Sequence, residues 1–192
     1  SELLFNYSAF DMYLYNNDYL VNHPEWLKKI LTRLFEDIMN IKVTETKMSY
    51  DILLLQKNYI HYAIINDLTD LSEKMIAEYK DNILKMSINN PYLRINGLTE
   101  LANIYALNGQ FHKSEKTLLT LKDEFEKTKH LGEKNSINKH YFSSTSREIP
   151  MLLATIILRQ RPSSELSIKL FRDFMAKDTV VAQNNDLAEM GY

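Results

Sequence analysis

The amino-acid sequence predicts an all-α protein: four antiparallel helical hairpins stacked side by side as a short α-solenoid. Three observations predict it. Only 4 Gly and 4 Pro occur in 192 residues, and a sheet protein of that length needs many more turn residues. Apolar residues recur at i, i+3 and i+4 through most of the chain. Short polar turns divide the periodic stretches into pairs, and a single hairpin cannot bury its apolar face alone, so neighbours stack and share a core.

Each element has its own justification. Residues 2–15 carry Leu3, Leu4, Tyr7, Phe10 and Leu14 at helical spacing, and Asn-Asn-Asp at 16–18 breaks the pattern. A second helix starts near Pro24, because proline suits the first helical position. It places Trp26, Ile30, Leu34 and Ile38 on one stripe. A short connector, IKVTET at 41–46, follows. Residues 47–65 form the third helix, with Tyr50, Leu53, Leu54, Tyr59 and Ile60 in its apolar surface. NDLTD at 66–70 is a turn and cap. The fourth helix runs 71–86 through Met75, Ile76 and Tyr79, and SINNPY at 87–92 stops it. Two more helices fill 96–127. Residues 131–146 are polar and the least periodic, and read as a long loop or lid. Pro150 stands near the start of a helix over 149–160. RPSS at 161–164 turns the chain, and Ser164 caps a last helix over 165–177. Residues 1–177 thus form one repeat domain, and 178–192 a C-terminal tail.

The composition narrows the class of function. Hydrophobic residues are 45% and charged residues 25%, with 12 Tyr and 8 Phe; a disordered chain would be poorer in aromatics. The net charge is -2 with both signs mixed, which disfavours direct nucleic-acid binding through a basic patch. The chain has no cysteine, so disulfides and cysteine zinc sites are excluded. No apolar run approaches the roughly 18 residues of a membrane span, and no signal peptide is visible. The expected location is intracellular, in the cytoplasm. The first residue is Ser and a helical pattern begins at once, which predicts a piece of a longer protein.

One stretch carries a family resemblance. NGLTELANIYALNGQFHKSEKTLLTLKDEFEK, 96–127, reads as two helices folded back at Asn108-Gly109. Gly109 can take the left-handed conformation that ends a helix at low cost. Taking Ile95 as the first position, residues 95–128 resemble a tetratricopeptide repeat, a helical hairpin of about 34 residues. Leu98 stands where the motif has Trp, and Leu101, Ala102, Tyr105 and Phe111 match its Leu, small, Tyr and aromatic positions. Ser114 replaces the small Ala, Leu118 the second aromatic and Leu121 the second Ala. Glu126 stands where the motif ends in Pro. Ser72 and Ser167 are counterparts of Ser114 in two weaker copies. The three serines lie 42 and 53 residues apart, so the array is degenerate and irregular. The plain alternative is an irregular helical bundle.

The resemblance implies a right-handed solenoid whose concave face is lined by the first helix of each hairpin. It places Asn103 where tetratricopeptide proteins commonly hydrogen-bond a bound peptide's backbone. Asn58 and His61 fall on the equivalent face of the helix over 47–65, and Asn6 on the first helix. A side-chain amide donates and accepts at once, so it can pair with a peptide's C=O and N–H together. The bland reading makes these residues solvated, or partners of a neighbouring helix. Thr99 and Glu100 stand where chaperone-binding relatives need Lys and Arg, so a C-terminal carboxylate is not the expected ligand.

No catalytic spacing stands out. The histidines at 23, 61, 112, 130 and 140 form no metal motif, and there is no Gly-rich phosphate loop. The expectation is a non-catalytic protein- or peptide-binding module, without cofactor or metal, acting as a scaffold in a larger complex. The alternative is the peptide-sensing regulatory domain of a bacterial transcriptional regulator.

Overall fold

Proline opens two of the helices. The computed structural model describes residues 22–41, 46–87, 90–132, 136–162, 164–172 and 175. Among them the ordered elements are all helices: α1 (Pro24–Met39), α2 (Thr46–Ile65), α3 (Thr69–Met86), α4 (Pro91–Leu107), α5 (Phe111–Gly132) and α6 (Ser136–Gln160), then α7 over 165–172. The described residues contain no strand, as an all-α chain requires. The helix expected over 2–15, most of the connector after Ile41 and the tail over 178–192 lie outside the described residues. The chain divides into two compact units, residues 1–108 and 109–192. The repeat-like stretch 95–128 straddles that division.

In the first unit each turn has a local cause. Pro24 and Pro91 sit at the start of α1 and α4, where an N–H would have no helical partner. The Asn90 side chain accepts from Leu93 N–H at 3.1 Å and caps α4. The end of α2 is a Schellman motif with Asp67 in place of the usual glycine. Asp67 has φ 56, Leu68 N–H donates to Ala63 C=O at 2.9 Å, and Asp67 N–H donates to Ile64 C=O at 3.1 Å. The short connections after α2 and α3 reverse the chain twice, so α2 and α4 run the same way on either side of α3.

The core of this unit joins Leu31 and Phe35 of α1, Ile52, Tyr59, Ile60 and Ala63 of α2, Met75, Tyr79 and Ile83 of α3, and Leu93, Leu101 and Ile104 of α4. A polar knot ties three helices within it. The half-buried thioether of Met39 accepts from Gln56 Nε2 at 2.9 Å and from Asn82 Nδ2 at 2.8 Å. At Gly97 α4 packs tightly on α3, where a Cβ would meet Ile83 Cγ1 and Cγ2 at 2.8 Å.

The stripe expected on α1 is one residue out of phase. Leu27, Leu31, Phe35 and Ile38 are buried, Ile30 and Leu34 are half-buried, and Trp26 is 65% exposed. Two adjacent rows of α1 are apolar, and contact with α2 and α3 selects the other one. On α2, Leu53, Tyr59 and Ile60 are buried as expected, but Tyr50 and Leu54 face solvent at 48% and 39% exposure.

In the second unit α5 and α6 pack together. Ser114, Leu118, Leu121 and Phe125 form the buried row of α5, against Ile149, Leu153, Ala154, Ile156 and Ile157 of α6. Polar contacts join the end of α6 to the start of α5, so the two run antiparallel. Gln160 Nε2 donates to Glu115 Oε2 at 2.9 Å, Arg161 meets Glu115 Oε1 at 2.7 Å, and the Arg159 guanidinium lies 5.6 Å from the Phe111 ring centroid. Buried Ser167 of α7 donates to Ala154 C=O at 3.0 Å. The expected loop over 131–146 is corrected here: α6 is already helical from Ser136, and Pro150 lies inside it rather than near its start. Residues 136–146 lack periodicity but also lack Gly and Pro, so nothing in them stops a helix. Pro150 lacks the N–H that would bond the carbonyl of residue 146, and its ring crowds that carbonyl, yet the helix runs on through it.

Candidate functional site

An open cleft of about 350 Å³ lies between α2 and α4, with α3 beneath. Tyr50, Leu53, Leu54 and Lys57 line it from α2, Tyr79 from α3, and Leu93, Asn96, Gly97 and Glu100 from α4. It exists because α2 and α4 both lean on α3 and leave a furrow above it. Without a side chain at Gly97, α4 sits close on Ile83 and that stretch of wall is bare backbone.

The chemistry of the cleft is graded. Leu53, Leu93 and Tyr79 are buried at its base. Lys57 Nζ lies 3.4 Å from Glu100 Oε1, with the two side chains 26% and 39% exposed, so the pair bridges the furrow near solvent. Such a pair contributes at most about 1 kcal/mol to stability. The Tyr79 phenol is held neutral far above its ordinary range, chiefly by burial, then by the negative charge of Glu100 and least by Tyr50 nearby.

The residues singled out in the sequence stand on the same two helices. Asn58 is half-buried and His61 exposed on α2, and Asn103 is exposed on α4. The Lys57–Glu100 pair sets the register of the parallel helices. His61 is one turn beyond Lys57, and Asn103 three residues beyond Glu100. His61 and Asn103 therefore stand about one turn past the ion pair on their own helices, and Asn58 follows Lys57 directly. Asn6 lies outside the described residues. Tyr50, Tyr79, Gly97 and Glu100 were not singled out as site residues. A glycine within an otherwise apolar helix was the one available signal, since such a residue usually has a packing or functional reason.

No protein-family model matches the chain, and no curated protein or solved structure matches it either. Among the described residues no group of three or more His, Asp or Glu side chains could hold a metal, and no helix is long and apolar enough to cross a membrane.

Proposed function

We propose that the chain is a non-catalytic, tetratricopeptide-like module that binds an extended peptide or protein segment and serves as a scaffold in a larger complex. The observation that carries this reading is the furrow between the parallel helices α2 and α4. It is open, apolar at its base, and rimmed by side chains that donate and accept hydrogen bonds. A side-chain amide such as that of the exposed Asn103 pairs with both polar groups of a peptide unit, and Asn58 stands on the neighbouring helix α2. The cleft beside them offers a socket for one of the peptide's side chains.

Burial supports the repeat reading. Among the aligned positions Phe111 is half-buried, and Leu98, Leu101, Ala102, Tyr105, Ser114, Leu118 and Leu121 are buried. So are Ser72 and Ser167, the counterparts of Ser114 in the weaker copies. A small side chain buried at each is what close helix approach requires.

The test is affinity capture from the source lysate with the full chain as bait, beside the Asn58→Ala, Asn103→Ala double variant. A partner held by the wild type and lost by the double variant is the expected outcome. For the exposed Asn103 the change in stability should stay within about 0.5 kcal/mol. A partner held equally by both would move binding off this face. Lost stability with binding intact would make the two amides structural.

A further inference from the structure

The base and the edge of the cleft differ in chemistry, and the difference selects an occupant. The base is aliphatic and aromatic: Leu53, Leu93 and the ring of Tyr79, with Leu54 and Tyr50 rising toward solvent. The edge is polar: Asn96, Glu100 and Lys57. An aliphatic side chain seated there would cover the Glu100 carboxylate without satisfying it, and a desolvated carboxylate is costly. An anionic one would have to take Lys57 from Glu100 and leave that carboxylate unpaired beside it. A side chain with an apolar stem and a cationic head satisfies both zones.

Geometry narrows this further. The cleft is open to solvent and lined by short stretches of three helices, which suits one long side chain better than a cofactor, whose surface an enclosed pocket would bury. Among the described residues Glu100 meets one cation, Lys57, at 3.4 Å. That is long beside the roughly 2.7–2.9 Å of a tight charge-assisted bond. A carboxylate has two oxygens and can take a guanidinium in a fork. The Tyr50 ring, 48% exposed, gives that planar head a face to stack on. Lys57, on a flexible stem, can turn outward to water.

Resting on the peptide-binding reading above, we propose that this cleft takes an arginine side chain of the bound peptide. Its stem lies on Leu53, Leu54 and Leu93, its guanidinium stacks on Tyr50, and Glu100 holds it with both oxygens.

The test selects ligands from a displayed library of random, unstructured peptides against the full chain. Calorimetry then measures the selected peptides on wild type, Glu100→Gln and the Asn58→Ala, Asn103→Ala variant. The expected result is an arginine recurring at one position of the peptides. Replacing it by citrulline, its neutral isostere, weakens binding by about tenfold or more, and Glu100→Gln does the same. The citrulline exchange alters only the peptide, so it decides the matter even if Glu100→Gln folds poorly. Recurrence of an aliphatic residue, or affinity unchanged by citrulline, overturns the arginine site. If those peptides still lose binding on the asparagine variant, the groove reading survives that failure. Peptides indifferent to every variant, or no selected peptide at all, would end both.

Discussion

At Gly97 the side chain is a single hydrogen, and Ile83 uses the space. Ile83 is fully buried and cannot swing away from a Cβ placed 2.8 Å from two of its carbons. Gly97→Ala should therefore destabilise the protein, although alanine is the better helix former by about 1 kcal/mol. Overpacking costs about 1–3 kcal/mol and decides the sign. In an Ile83→Ala background the same change should stabilise by up to about 1 kcal/mol, and urea denaturation of the four proteins would read the reversal. A loss of similar size in both backgrounds would mean that Ile83 is not the obstacle. The sequence flags this glycine by its place inside a helix but not its partner, which is set by how α3 and α4 cross. Gly109 was legible for the opposite reason. Its neighbours, Asn108 before it and the restart of a helical pattern after it, state the need for a left-handed residue.

At the scale of elements, the sequence marks ends better than faces. Gly109 has φ 71, and a Cβ there would meet nothing within 4 Å. The penalty for Gly109→Val is thus backbone strain alone, about 1–2 kcal/mol, with Gly109→Asn costing less. A shift of the urea midpoint without a change in slope would show it. Pro91, read as part of a stop, opens α4, whereas Pro24 and the turn at Asn66–Leu68 were readable because they act through their own dihedrals and hydrogen bonds. The buried row of α1 was not, since a second apolar row lies beside it and only contact with α2 and α3 chooses. The start of α6 was missed because weak periodicity was read as a loop, when a chain without Gly or Pro can continue as helix. The site shows the same divide. Asn58, His61 and Asn103 were placed on one kind of face by the tetratricopeptide resemblance. The cleft beside them assembles Tyr50, Tyr79 and Glu100 from three helices, a meeting that no local pattern encodes.

The whole molecule inherits a pH limit from Tyr79. Burial, then Glu100 and Tyr50, push its phenol well above the ordinary 10.0. Below about pH 10 both folded and unfolded chains hold the proton, and Tyr79 contributes its full stabilisation. Above that pH the unfolded chain releases a proton that the folded chain keeps. The unfolded state then binds fewer protons, and stability falls by up to about 1.4 kcal/mol per pH unit. Urea midpoints of Tyr79→Phe between about pH 9 and 11 should decline less steeply than wild type. Burial raises Tyr105 as well, so some slope should remain; an unchanged slope would place the alkaline limit elsewhere. Reading such curves requires a signal that reports folding. The chain's single tryptophan is a poor one, because Trp26 is 65% exposed in the folded protein. Its indole already sits largely in water, so its fluorescence will shift little on unfolding. Used alone, it would make a cooperative transition look shallow or absent. Far-ultraviolet dichroism, which the helices that make up most of the described residues render intense, is the signal this protein gives clearly.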